Sequence, residues 1–274
     1  MEFMRRKLQL LWLLPFSPRI GYLGGTVAAL YFISDIHLGL EAPDEEASKE
    51  SRLLELLKKV EEEGERLYIV GDLFDFWFEY RHVIPSCGLQ VLAALRRLSD
   101  AGVEVHYIAG NHDFALGTYL SDQVGCILHI YPFGIEYAGI RFYLHHGDGL
   151  AGRDLGYRIL KKVIRSPISQ ALWRLVHPDI GFAITRRLSG ASRRYTQDKD
   201  YGRGDRLDRF LAERCREGYD YIIMGHFHLA EYRLLEGDSR YINLGGWLDG
   251  GSPYARFERG RMDVVRPDGT LITL

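Results

Sequence analysis

Cysteine is scarce: 274 residues contain three, Cys87, Cys126 and Cys215, far apart and without a Cys-x-x-Cys pair. That number and spacing exclude a disulfide framework and a thiolate zinc knuckle, and they fit a reducing compartment. Internal repeats, low-complexity tracts and Gly/Ser linkers are missing as well, which excludes solenoids and tethered modules. A long apolar run is also lacking. Arg5-Arg6-Lys7 followed by Leu8 to Leu14 mimics the charged and apolar parts of a signal peptide. Pro15, Pro18 and Arg19 then break the run, well short of the roughly 20 residues that span a bilayer. Residues 1–27 therefore read as an N-terminal extension, left by a mis-assigned start or forming an interfacial flap. A cleaved signal and a membrane-spanning helix are the less favoured alternatives.

What is present suits one large domain, or a domain with an insertion, since 46% of residues are apolar and 26% charged. The net charge of −2 hides an asymmetry. Between Gly152 and Arg206 there are 13 Lys and Arg against 5 Asp and Glu, a local +8 on a body of −10. Such a basic segment suits phosphate-bearing partners or an anionic surface.

From Val27 onward short apolar strands alternate with amphipathic helices. The pattern predicts a strand over Val27–Ser34, then a helix over Glu45–Glu63, where Leu53, Leu54, Leu56, Leu57 and Val60 share one face. It continues with a strand over Arg66–Gly71, a helix over Leu89–Asp100 ended by Gly102, a strand over Glu104–Gly110 and a short helix after Asp113. Later strands are predicted at Gly139–His146, Tyr219–Gly225, Arg240–Leu244, Ala255–Glu258 and Arg261–Val265, and they imply a second sheet. The fold class is α/β, with α+β an equally usable description, and helices cover the sheets. Gly149 to Asp205 carries helical apolar stripes, Leu155/Ile159/Val163, Leu172/Leu175/Val176 and Phe182/Ala183/Leu188. Residues 150–205 thus read as a helical cap inserted in a domain spanning 28–274.

The chemistry sits where strands end. Asp35-Ile36-His37, Gly71-Asp72, Gly110-Asn111-His112-Asp113, His145-His146-Gly147-Asp148 and Gly225-His226-Phe227-His228 each follow an apolar stretch. A lone Asp after a strand is more often a turn residue or a helix cap; five such endings in order are not. In an extended segment residues i and i+2 project to one side, so Asp35 with His37, and His226 with His228, would face one pocket. Carboxylates mixed with imidazoles suit Mn, Fe or Zn more than Ca or Mg. The ligands are too many for one ion. Two ions about 3.5–4 Å apart sharing one carboxylate, naturally Asp72, would suit in-line attack at phosphorus. Strand alternation lets only one of His145 and His146 face the pocket, and the His-Gly-Asp context favours His146. Asp75 reads as a brace for the turn or for a ligand histidine. His82, His106, His129 and His177 read as surface or core histidines. Trp77, Phe78 and Tyr80 read as core, with a wall for a lipid chain as the alternative.

In these motifs residues 28–250 resemble the calcineurin-like metallophosphoesterase superfamily, whose pattern D-x-H, G-D-x-x-D, G-N-H-D/E, H and G-H-x-H is matched in order. The resemblance implies a four-layer αββα sandwich and a hydrolase with two divalent metal ions, manganese foremost, with iron or zinc as alternatives. It implies that Asp35, His37, Asp72 and His228 hold one ion and that Asp72, Asn111, His146 and His226 hold the other. His112 is then left to hydrogen-bond a phosphoryl oxygen or protonate the leaving oxygen, with Asp113 orienting its ring.

More narrowly, Tyr31 to Gly39, Gly71 to Trp77, and His146 to Leu150 followed by a basic helical insertion resemble the UDP-2,3-diacylglucosamine diphosphatase family of lipid A biosynthesis. The resemblance implies cleavage of a nucleotide-linked glycolipid to UMP and 2,3-diacylglucosamine 1-phosphate. It also implies a cytoplasmic protein peripheral to the inner membrane, and substrate contacts at Asp154, Tyr157, Ser192 and Lys199. In the insertion, Arg158, Lys161, Lys162, Arg165, Arg186, Arg187, Arg193 and Arg194 offer cations to a diphosphate or to anionic lipid. The chain departs from some members of that family in having His112, not arginine, after the asparagine. Another nucleotide or lipid-linked diphosphate is the alternative substrate. A nuclease and a non-enzymatic scaffold are further readings; nucleic acid is not the expected partner, and the sequence leaves the oligomeric state open.

Overall fold

The computed structural model describes residues 28–113, 115–150, 166–185 and 205–274. Residues 1–27, the four expected substrate contacts Asp154, Tyr157, Ser192 and Lys199, and all eight cations named in the insertion lie outside them.

Two sheets face each other. Strands β1 (Ala29–Ile33), β2 (Gly64–Ile69), β3 (Glu104–Ile108) and β4 (Ile127–His129) run parallel in the first, which continues on the other side of β1 through antiparallel β10 (Tyr254–Glu258), β11 (Arg261–Val265) and β12 (Leu271–Thr273). The second sheet has the order β5 (Phe133–Tyr137), β6 (Ile140–His145), β7 (Tyr221–Met224), β9 (Arg240–Asn243) and β8 (Glu231–Leu234), with β6, β7 and β9 parallel.

Alternation along the strands builds three apolar layers. Leu30, Phe32, Tyr68, Val70 and Ile108 of the first sheet meet Phe142, Leu144, Ile223 and Ile242 of the second between the sheets. The opposite faces of β1 to β3 take helix α1 (Pro43–Glu63) and helix α2 (Leu89–Asp100) through Leu53, Leu57, Val60, Val91, Leu95 and Leu98. The outer face of the second sheet takes helix α4 (Asp205–Arg216) through Leu207 and Leu211. This is the αββα sandwich. Helix α1 starts where it does because Pro43 supplies a preset φ at its first turn, and Asp44, Glu45 and Glu46 sit at the positive end of its dipole.

Several expectations are corrected. The hairpin of β10 and β11 lies in the first sheet, antiparallel to β1, because Ala255, Phe257, Met262 and Val264 complete the layer between the sheets. The short helix expected after Asp113 is present, as one wide turn over Leu120–Val124. Strands β4, β5, β8 and β12 were not anticipated from the pattern, being short or of mixed polarity. In the insertion, helix α3 (Pro167–Trp173) and a helical stretch over 178–185 are described. The stripe residues Leu172 and Leu175 are exposed there, not buried. Instead Trp173 and Phe182 pack on Phe76 and Phe78, with the Phe76 and Phe182 rings 5.2 Å apart and nearly perpendicular. Trp77 is core, as expected.

The inter-sheet layer should dominate stability. Phe257→Ala, at a fully buried ring, is expected to cost about 3–5 kcal/mol. The exposed Leu271→Ala should stay within about 0.5 kcal/mol. Urea unfolding of both variants measures the difference.

Candidate metal centre

Parallel strands in both sheets end at one edge, the general ligand-binding position of such sheets. The segments beyond β1 and β2 are zipped together: Ile36 and His37 donate to Asp72 O at 2.9 and 3.0 Å, Leu38 donates to Leu73 O at 2.9 Å, and Asp75 donates to Leu38 O at 3.1 Å. This ladder fixes Asp35, His37 and Asp72 relative to one another. Gly71 is required there twice over: its φ is 85°, and a Cβ would run into the His146 ring.

Asp35 and His37 do come together, but not by strand alternation. Both have left-handed backbone, φ 53° and 51°, and His226 and His228 likewise, φ 74° and 54°. A turn, not a pleat, gives each pair a common direction.

Two clusters share Asp72. In one, His37 Nε2 is 2.9 Å from His228 Nε2 and 3.8 Å from Asp35 Oδ1, which is 3.4 Å from His228 Nε2. In the other, Asn111 Oδ1 lies 3.0 Å from His146 Nε2 and 2.7 Å from His226 Nδ1. The Asp72 carboxylate stands between. Its Oδ1 accepts the His112 N–H at 2.9 Å, while its Oδ2 faces His146 Nε2 at 3.2 Å and His37 Nε2 at 3.9 Å.

The donor set fits divalent cations. Asp72 Oδ2 and Asp35 Oδ1 are buried and are faced only by the other ligands' imidazoles, at 3.2 and 3.4 Å at the nearest, although a buried carboxylate oxygen ordinarily has a close donor. The other oxygen of Asp35 is held by Ser34 Oγ and by the His226 N–H, so one oxygen is anchored and one is presented. Asp35 with His37 and His228, and Asp72 with His146 and His226, form compact groups able to hold an ion. His146 Nδ1 meets the Val70 carbonyl at 2.9 Å; a carbonyl only accepts, so Nδ1 carries the proton and Nε2 points into the site. His145 faces elsewhere, its Nδ1 accepting the Gly147 N–H at 2.6 Å.

His112 stands at the rim, its ring grouped with His37 and Asp72. Its Nδ1 donates to the Asp75 carbonyl at 2.9 Å and lies 3.4 Å from Asp75 Oδ1. Asp75 also lies 3.5 Å from His37 Nδ1. The bracing carboxylate of both histidines is therefore Asp75, and the expectation that Asp113 orients His112 is corrected. Asp113 is buried and accepts from Leu73 N at 2.9 Å, Gly110 N at 2.7 Å and the Tyr107 hydroxyl. It ties the loop after β2 to the loop after β3. The second carboxylate of G-D-x-x-D was visible in the sequence; its reach to His112 was not.

Charge follows geometry. Burial opposes ionisation of Asp72, but the His146 and His112 imidazoles outweigh it and hold the carboxyl well below the usual range; His228 does the same for Asp35. Burial, with neighbouring imidazoles adding, pushes His37 down to about 4 and His226 down to about 3. Burial also acts on His146, yet the Asp72 carboxylate prevails and raises it to about 10. Burial and Asp72 push Asp113 up to about 6.

A cavity of about 240 Å³ opens beside this centre, lined by Ile108, Ala109, Ile130, Tyr131, Pro132, His145, His146 and Asp148. The remaining histidines take bland positions: His106 Nδ1 and His129 Nε2 share a hydrogen bond at 3.0 Å, and His82 and His177 are exposed.

A family match and three relatives bear on this arrangement. The profile of the calcineurin-like phosphoesterase family matches residues 29–230. A Porphyromonas gingivalis protein named UDP-2,3-diacylglucosamine hydrolase is 33% identical over 236 residues, covering 80% of this chain and 90% of its own. Proteins of the same name from Pseudomonas putida (33%, covering 80% and 90%) and Nitrosococcus oceani (32%, covering 82% and 89%) are similar.

The metal-free protein should be most stable near pH 6.5. Below it, His37 and His226, whose folded values of about 4 and about 3 lie under the unfolded value of about 6.5, must be charged in the unfolded state first, so stability is lost as pH falls toward them. Above it, the stability from His146, raised to about 10, is lost as pH rises toward that value. Denaturant midpoints in excess chelator between pH 4 and pH 10 would check this, a flat profile being the contrary result.

Proposed function

Because this chain belongs to the calcineurin-like phosphoesterase family, we propose that it is a dinuclear-metal hydrolase that cleaves the diphosphate of UDP-2,3-diacylglucosamine to UMP and 2,3-diacylglucosamine 1-phosphate. The reaction class is carried by one atom, Asp72 Oδ2, which is buried and faces an imidazole nitrogen of each cluster. The substrate reading is supported by relatives of that name over 80% or more of the chain.

In this reading Asp35, His37, Asp72 and His228 hold one ion and Asp72, Asn111, His146 and His226 the other; manganese, iron or zinc suits the nitrogen and oxygen donors. The two cations would supply positive charge for the phosphoryl oxygens and make water nucleophilic at neutral pH. His112 does the proton chemistry. With Nδ1 donating to Asp75 O, the second proton of an imidazolium would sit on Nε2, where it can hydrogen-bond a phosphoryl oxygen or pass to the departing oxygen. Asp113 acts behind it by fixing the Gly110 and Leu73 amides.

We assign the nucleoside to the cavity beside His146. The flat Tyr131 ring and the apolar Ile108, Ile130 and Pro132 suit the faces of uracil, and Asp148 at its wall suits ribose hydroxyls. The acyl chains then belong on the side of Phe76, Phe78, Trp173 and Phe182, beyond which Ile168, Leu172, Leu175 and Ile180 are exposed. Among the described residues no helix is long and apolar enough to cross a membrane; these exposed side chains support a peripheral membrane position, and a nucleotide-linked lipid substrate would place it on the cytoplasmic face of the inner membrane. Asp154, Tyr157, Ser192 and Lys199 remain proposed contacts for the sugar and diphosphate.

Incubation of the metal-loaded protein with UDP-2,3-diacylglucosamine should release UMP. Cleavage of only another nucleotide-linked or lipid-linked diphosphate would transfer the assignment to that substrate. His112→Ala should keep two ions per chain by elemental analysis while turnover falls roughly 100- to 10,000-fold; Asp72→Ala should lose both ions. Tyr131→Ala should raise KM for the UDP-lipid by roughly tenfold, the scale of one base–aromatic stack, with kcat changed less. Unchanged KM would remove the nucleoside from this cavity.

A further inference from the structure

A buried cation lies behind the metal centre. Lys49, on α1, is fully buried. Its ammonium donates to the His37 carbonyl at 3.0 Å and lies 3.1 Å from Glu46 Oε2 and 3.4 Å from Glu41 Oε2. Glu46 in turn accepts the Gly39 N–H at 2.8 Å and the Glu41 N–H at 3.1 Å. One ammonium and two carboxylates thus hold the chain from His37 to Glu41.

Burying a lysine costs more than burying an aliphatic side chain of the same length, so its place needs a role beyond packing. The backbone at His37 supplies one. A non-glycine residue at φ 51° is strained and persists only when its surroundings over-determine it. The His37 N–H is fixed by Asp72 O at 3.0 Å and its carbonyl by Lys49, while the carbonyl of Asp35 receives the Trp247 N–H at 3.0 Å. With both ends of the Asp35–His37 turn held, His37 Nε2 is aimed at Asp35 Oδ1 and His228.

We propose that Lys49, held by Glu41 and Glu46, is a positioning residue for the Asp35–His37–His228 half-site and sets the affinity of that ion in preference to its neighbour. The proposal rests on the dinuclear reading above. Lys49 touches no ligand side chain; it acts through the His37 backbone. Disturbing the support of a ligand characteristically weakens metal binding by roughly 10- to 100-fold.

The test is calorimetric titration of metal-free full-length protein with Mn²⁺, together with electron paramagnetic resonance and the rise in Tm on metal addition. The parent should bind two ions and show a spin-coupled pair. Lys49→Met should bind one ion at parental affinity and the other roughly 10- to 100-fold more weakly, giving the signal of an isolated Mn²⁺ at one equivalent. Should that variant fail to fold, Glu46→Gln, which keeps an oxygen for the Gly39 amide but loosens the ammonium, should show the same one-sided loss to a smaller degree. The exposed Lys59→Met should match the parent. Two ions retained at parental affinity, or equal weakening of both, would overturn the role of Lys49 while leaving the dinuclear reading intact. A parent that takes up fewer than two ions would sink that reading and Lys49 with it.

Discussion

Left-handed backbone at the ligand residues is the constraint on which the rest of the site depends. Asp35, His37, Asp72, His226 and His228 have φ between 51° and 74°, and none is a glycine. Each such residue costs of order 1–3 kcal/mol and survives only where neighbours leave no alternative. Those neighbours are identifiable. The loops after β1 and β2 hydrogen-bond each other, Asp113 spans from the β2 loop to the β3 loop, the His226 N–H closes on Asp35 Oδ2, and Lys49 takes the His37 carbonyl. Contacts therefore run between separate loops of the first sheet, and the one from His226 to Asp35 forms only when the second sheet is docked on it. In this way inter-sheet packing becomes ligand geometry.

Those dependencies explain which parts of the molecule were legible in the sequence. Helices α1 and α2 and the central parallel strands were readable because each carries a long apolar period or a continuous apolar run that only one element satisfies. The metal-ligand residues were readable because they recur at strand ends with the same residue types. The reason offered for the spacing was not right: alternation in an extended strand predicts the same side for Asp35 and His37, and a left-handed turn achieves it instead. Periodicity carries no information on positive φ at a non-glycine residue. The placement of β10 and β11 was illegible for a related reason. Their alternation shows that one face is buried but not against which sheet, and their partner β1 lies more than 200 residues earlier. The exchange of roles between Asp75 and Asp113 is of the same kind, since both are carboxylates in the expected motifs and only the folded loops decide which one reaches His112.

The charge state of the metal-free site shows why its ligands sit as they do. His146 donates through Nδ1 to Val70 O and has Nε2 against Asn111 Oδ1 and Asp72 Oδ2, so both nitrogens meet acceptors and the ring is cationic, raised to about 10 chiefly, against the pull of burial, by Asp72. Its counterparts His37 and His226 are held neutral, at about 4 and about 3, by burial and by the cations around them. One ligand imidazole thus carries the positive charge that balances Asp72, while others keep their lone pairs. A metal ion taking the His146 position would displace that proton. An unpaired buried carboxylate would be costly without that proton. In the metal-free sandwich the imidazolium of His146 balances Asp72, and the backbone turns set the ligand directions.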